Sequence, residues 1–314
     1  MRQRSAFYCP EPTLSRREAI ARSAAWLSLG ALAGCSSNPA LTSHLLDATG
    51  SVVKSAFLGE TDEIAIGNGL YGRVIDGAGG YYHDEPAQAA LRRFAAPLIA
   101  TSRRPNLPWE IVLVNDNTVN AWALPGGKLG VNKGLFYYVD SDAELAAVIS
   151  HEIGHAELGH AVQTMRTGGF MSAAGGLGKA FLQDRANQAG VGAMTGPVLD
   201  SLAGPMTQLV MSGYSRENES EADNHILTVY GQTGYRPGTA SSFFHTLLEL
   251  IPPGSMATTS LFSTYPGTQA RIVALNDAAA KLPEPTFQPA SAGFDDLQKI
   301  FPNRKYLHRH PVPV

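Results

Sequence analysis

The stretch His151-Glu152-Ile153-Gly154-His155 sets two nitrogen donors four residues apart, with a carboxylate beside the first. On a helix, positions i and i+4 lie one above the other, so both imidazoles can reach one cation. Zinc accepts neutral imidazole readily, and a catalytic zinc site uses three protein ligands and keeps a fourth position for water. Glu152 can then act as general base toward that water, which is the zinc-hydrolase reading of an HExxH segment. A helix is indicated here. Asp140-Ser141-Asp142 offers a cap, and Leu145, Val148, Ile149 and Ile153 form an apolar stripe.

Two imidazoles need a third ligand, and Glu219 is the strongest candidate. It lies in Ser215-Arg216-Glu217-Asn218-Glu219-Ser220-Glu221-Ala222-Asp223, which runs into an amphipathic helix ending near Gly231 or Gly234. Glu219 and Asp223 share a face, so one can bind metal while the other accepts a hydrogen bond from a ligand imidazole. Glu217 and Glu221 fall on other faces and read as solvated. Taken alone, the acidic run is equally an exposed first turn that complements the helix dipole. A metzincin would carry His six residues after the second ligand and Gly three after it. Those positions are Ala161 and Leu158, which excludes that class. His160 reads as structural or as a support for a ligand; His225 and His245 receive no role. A purely structural zinc site favours four Cys/His ligands, which this set is not.

These segments resemble metallopeptidase family forty-eight, the zinc endopeptidases that include HtpX-type and CAAX-prenyl-endopeptidase-type proteins. The likeness spans most of residues 60–280. It rests on Asn120-Ala121-Trp122-Ala123-Leu124-Pro125-Gly126-Gly127, on Gly134-Leu135, and on Asp142 to Ser150 leading into the histidine motif. It rests also on Glu219 to Asp223 and on Gly234-Tyr235-Arg236-Pro237. The resemblance assigns the third ligand of a single Zn²⁺ to Glu219 and implies an α+β, mainly α fold. That fold is a zincin of the minigluzincin type, with a small antiparallel-edged sheet packed on the HExxH helix. It also implies that an extended substrate lies beside an edge strand at Asn120 and Ala121, a form of β-augmentation. Many periplasmic relatives carry a His-Pro pair followed by Arg. Here the pair is Tyr265-Pro266, with Arg271 at the Arg position. Tyr265 could donate to an oxyanion or simply pack, and Arg271 is the second candidate for contact with oxyanion or substrate.

The N-terminus reads as an export signal. Arg16-Arg17 precede an uncharged stretch, Ser23 to Gly34, too short to span a membrane. Leu32-Ala33-Gly34-Cys35 resembles a bacterial lipobox, so Cys35 is the expected lipidation site, with Ser36 favouring the outer membrane. Only Cys9 and Cys35 exist, which leaves no disulfide after processing. Loss of residues 1–34 removes five Arg and two acids, shifting the net charge from −3 to −6; nothing suggests nucleic-acid binding.

The expected organisation is a signal over 1–34, a lipidated Cys and tether over 35–58, the peptidase domain over 59–282, and a Pro-rich tail over 283–314. Within the domain the periodicity predicts helices over 60–70, 87–102, 243–251 and 268–281, and strands at 111–114 and 119–123. The Gly/Ala-rich interval 168–213 reads as short helices around the cleft, either scaffold or lid. No repeat is visible. The implied function is zinc-dependent cleavage of unfolded or misassembled envelope proteins. The alternative is an envelope chaperone or assembly-factor lipoprotein whose zinc site is latent.

Overall fold

The computed structural model describes residues 59–167, 196–250, 265–289 and 291–303. Two helices come first, α1 (Glu60–Gly77) and α2 (Glu85–Ile99). Asp84 starts α2 by accepting from the Ala87 N–H at 3.0 Å, and Pro86 follows where no N–H is needed. The helix buries Leu91, Phe94, Ala95 and Leu98, the stripe its spacing predicts.

Strands β1 (Glu110–Val114), β2 (Ala121–Leu124) and β3 (Lys128–Asn132) form one mixed sheet in the order β1-β3-β2. The central β3 runs parallel to β1 and antiparallel to β2, so β2 is the antiparallel edge. Gly126 and Gly127 close the β2–β3 turn with φ of 73° and 75°, conformations that only glycine adopts without strain. The Gly126 N–H donates to buried Glu63 of α1 at 3.2 Å, which ties the turn to that helix.

All three strands are covered on both faces, and their side chains alternate between two cores. Ile111, Leu113, Ala121, Ala123, Leu129 and Val131 face the larger core, built with α2 and with α4 (Asp142–Glu157). Val112, Val114, Trp122 and Leu124 face α1 and α6 (Gly196–Ser212). The remaining α-helices are α3 (Lys133–Phe136), α5 (His160–Thr167), α7 (Arg216–Thr233), α8 (Ser242–Leu250), α9 (Tyr265–Ala279) and α10 (Phe294–Ile300), and a short 3₁₀ helix spans Pro237–Thr239. The architecture is therefore mainly helical with a small mixed sheet. No described helix is long and apolar enough to cross a membrane.

Strand β3 and helix α10 are among the elements that escape the sequence periodicity, as are the short helices α3 and α5. Strand β3 reads poorly because Lys128 opens it and Gly130 sits at its centre. Lys128 is nonetheless buried against Glu110 (2.8 Å) and the Pro108 carbonyl (3.0 Å). Gly130 is required because the Trp122 indole lies where a Cβ would stand, at 2.2 Å. Helix α10 falls in the stretch expected to be a Pro-rich tail, yet Leu297 and Phe301 belong to the larger core and Phe301 stacks on Phe136. Of the Gly/Ala-rich interval, α6 is the part within the described residues. Cys35, the tether and residues 304–314 lie outside them.

Helix α4 ends on Glu157, which accepts from the Arg103 backbone (2.9 Å) and from its guanidinium (2.7 Å), with His225 Nε2 at 3.4 Å. Burial works to raise the Glu157 pKa. The bonds from His225 and Arg103 outweigh it and hold the carboxyl well below its usual range. Its folded pKa is depressed, so its stabilisation is fully present above the unfolded value near ~4.3 and is lost as pH falls through the folded one. Glu157→Gln is therefore expected to cost about 1–3 kcal/mol at pH 7. The gap to wild type should narrow between pH 4 and pH 2 in urea titrations; a gap independent of pH would contradict the ion-pair account.

Candidate metal centre

Helix α4 is buried from Glu144 to Glu157 because the sheet, α2 and α7 surround it. Its cap is Ser141, which accepts from the Glu144 N–H at 3.2 Å, while Glu144 accepts from the Asp140 N–H at 2.8 Å. One turn separates His151 from His155, both 2% exposed, and their Nε2 atoms stand 3.0 Å apart. Helix α7 is capped by Ser215 and ends on Gly234 in the left-handed conformation. It brings Glu219 to the same point, with Oε2 3.4 Å from His151 Nε2 and Oε1 3.6 Å from His155 Nε2.

The close approach of α7 depends on Gly154. A Cβ there would meet His225 Cβ at 2.9 Å and Ala222 Cα at 3.2 Å. The glycine inside the histidine motif is thus a packing requirement that lets a carboxylate from one helix reach imidazoles on the other.

The donor set fits a cation. Among the described residues, His151, His155 and Glu219 form the one group of three His, Cys, Asp or Glu donors whose ligand atoms lie within 4.8 Å of one another. Ligands of a tetrahedral ion bound at roughly 2.1 Å sit roughly 3.4 Å apart; the observed separations of 3.0, 3.4 and 3.6 Å bracket that value. The electrostatics agree. Burial opposes protonation of His151, yet Asp223 and Glu219 outweigh it and raise its pKa to about 9, so the pocket attracts positive charge.

Asp223 Oδ1 stands 3.1 Å from His151 Nδ1, on the side of the ring away from Glu219. Arg271, on α9, donates to both Asp223 oxygens at 2.8 Å, and its Nη2 lies 3.2 Å from Glu219 Oε2. Its guanidinium also covers the Phe244 ring at 4.7 Å. Burial works against ionisation of Asp223, but Arg271 and His151 prevail and keep it below the usual carboxylate range. The structure therefore sets Arg271 on the carboxylates that position the donors. Tyr265 opens α9, and its side chain lies outside the described residues.

Glu152 is buried beside His151, and desolvation raises its carboxyl to about 7. It shares a cleft with Ala121, Trp122, Ala123, Leu209, Val210 and Tyr214. That cavity offers about 10 Å³, room for about one water. The Asn120 carbonyl accepts from the Asn132 N–H at 2.9 Å and so faces into the sheet. Antiparallel alternation then turns the backbone groups of Ala121 and Ala123 to the free edge. Of the two edge residues expected, Ala121 lines the cleft and Asn120 is buried behind it.

Tyr214 is the site residue that the sequence did not single out. Its hydroxyl donates to the Ala123 carbonyl at 3.1 Å, and its ring stacks on His155 at 4.2 Å. The available signal was its place one residue before the Ser215 cap, which holds it beside the first turn of α7. His245 is exposed. His225 ties α7 to α4 through the Ser150 carbonyl at 3.2 Å.

Fold and site together define a metallopeptidase domain. The Peptidase family M48 model matches residues 85–279, and the chain belongs to this family. It is 27% identical over 215 residues to a Beta-barrel assembly-enhancing protease of Escherichia coli strain K12, covering 68% of this chain and 43% of that protein. To the Mitochondrial metalloendopeptidase OMA1 of Arabidopsis thaliana it is 32% identical over 189 residues, covering 60% of this chain and 35% of that one. To the Metalloprotease YcaL of Escherichia coli strain K12 it is 25% identical over 264 residues, covering 83% and 96%. The chain thus spans less than half the length of the first two relatives.

Gly154→Ala tests the packing requirement by sign. At an unobstructed helical site Gly→Ala stabilises by up to about 1 kcal/mol. Here the overlap with α7 is expected to destabilise by about 1–3 kcal/mol and to lower peptidase activity. Chemical denaturation that showed a gain would contradict the close contact.

Proposed function

We propose that this chain is a zinc endopeptidase of the minigluzincin type that cleaves extended segments of unfolded or misassembled envelope proteins. The observation that carries the reading is the convergence of His151, His155 and Glu219 beside buried Glu152, in a cleft lined by Ala121, Trp122 and Ala123 of β2. His151, His155 and Glu219 would hold the ion. When bound, zinc supplies Lewis-acid polarisation of the scissile carbonyl and lowers the pKa of water. Glu152 takes the proton from the attacking water and later delivers it to the leaving amine; a carboxyl tuned toward neutrality suits both transfers. Asp223, whose Oδ1 stands 3.1 Å from Nδ1, would hold the His151 ring, and Arg271 holds Asp223.

The outward amide and carbonyl of Ala121 would pair with an extended substrate strand. A strand of this kind is presented by unfolded chains and by unpaired β-segments more than by compact domains. A cavity the size of one water must widen first, with Tyr214 and the C-terminal turn of α6 giving way. Tyr265 would either donate to the oxyanion or pack. Cys35 would carry a lipid that places the domain at the periplasmic face of the outer membrane. One relative is named for enhancing β-barrel assembly, and that name fits a substrate made of unpaired strands.

Glu152→Gln keeps the donor set intact and removes the base. The expected outcome is one zinc per chain, as in wild type, and a loss of about 10²–10⁴ in kcat on casein or an unfolded outer-membrane protein. Chelator treatment of wild type should abolish the same cleavage. Full hydrolysis by the variant would remove Glu152 from the mechanism, and hydrolysis that survives chelation would remove the metal.

A further inference from the structure

Helix α4 stops at Glu157, Leu158 caps it, and Gly159 turns the chain at φ 69° before α5 begins at His160. This reversal folds the His160 ring back onto the end of α4, where it is 1% exposed. Its Nδ1 lies 2.8 Å from Nδ1 of His155, and its Nε2 lies 3.0 Å from Oε2 of Glu221 on α7. The Glu221 side chain is 60% exposed, so it reaches inward from the surface to a buried imidazole.

We propose that His160 and Glu221 are positioning residues for His155, joined to it in a chain of two hydrogen bonds that fixes the ring and its tautomer. The proposal rests on the metallopeptidase reading above. Two ring nitrogens at 2.8 Å share one proton, so one of them donates. Nε2 of His155 faces His151 Nε2 at 3.0 Å and Glu219 Oε1 at 3.6 Å and must keep its lone pair for an ion. The hydrogen of His155 therefore sits on Nδ1, and His160 Nδ1 accepts it. His160 then carries its own hydrogen on Nε2, which points at the Glu221 carboxylate. One assignment of tautomers satisfies all three groups.

The two ligand imidazoles are thus supported differently. His151 meets an anion directly, since Asp223 stands at its Nδ1. At Nδ1, His155 meets a neutral imidazole, and the carboxylate behind that imidazole, Glu221, is in contact with solvent. Glu221 acts by holding the His160 tautomer, because its charge is screened by water. Tyr214 stacks on the His155 ring face at 4.2 Å, so the ring is fixed both in its plane and across it.

The test is the zinc dissociation constant of the full chain, measured by competition with a chromophoric chelator, together with the visible spectrum of the cobalt-substituted protein. His160→Leu keeps apolar bulk and removes the acceptor, and a 10–100-fold weaker affinity is expected. His160→Asn places Oδ1 where Nδ1 stood and should restore most of the affinity and the cobalt band positions. A role in packing alone would leave Asn no better than Leu, which would overturn the proposal. Glu221→Leu alters an exposed side chain and keeps the test alive if His160→Leu fails to fold; it should weaken zinc several-fold, whereas Glu221→Gln, which still accepts, should not. Wild-type affinity in both His160→Leu and Glu221→Leu overturns the proposal alone. A wild-type chain that takes up no zinc overturns the metallopeptidase reading, and this proposal with it.

Discussion

Three carboxylates and two imidazoles share one desolvated pocket, and that charge problem constrains the rest of the structure. Burying an ionised carboxylate without a partner is costly, so such groups either neutralise or find a cation. Both responses occur here. Glu152 is pushed toward neutrality by burial, while Asp223 stays ionised because Arg271 grips both of its oxygens. His151 is drawn toward the protonated state by Asp223 and Glu219. A divalent ion meets the same demand for positive charge at the same nitrogen and leaves Glu152 free to exchange a proton.

The scaffold exists to hold that pocket shut and in register. Helix α4 can carry polar donors because it is enclosed on every side, and α7 can reach them because Gly154 has no side chain. Arg271 contributes from a third helix, so the centre is pinned by α4, α7 and α9 together. Among the described residues, the β2 side of the cleft is the one built from a strand edge without a neighbouring strand. There Tyr214 bridges the metal side and the strand side, stacked on His155 and bonded to Ala123. A peptide bond brought to Ala121 would lie beside Glu152 in the same cleft.

Much of this was legible from residue spacing, and the exceptions have physical reasons. The i, i+4 rule places His151 with His155 and Glu219 with Asp223, since a helix face is a local property. Which acid touches Nε2 and which stands behind Nδ1 is settled by how α7 docks on α4, and that is not local. Glu221 looks solvated on a helical wheel and is mostly exposed; its bond to His160 depends on the Gly159 turn. Lys128 and Gly130 disguise β3 because the partners that make them tolerable, Glu110 and Trp122, are distant in the chain. Helix α10 is too short to show a period, and its burial comes from Phe301 meeting Phe136.

The central claim is that these two helices assemble one ion-binding shell from two imidazoles and one carboxylate. Anomalous diffraction at the zinc edge from crystals grown with zinc tests it most directly. The account predicts a single strong peak in contact with His151 Nε2, His155 Nε2 and a Glu219 oxygen. A peak held by other residues, or no peak at full zinc load, would contradict it.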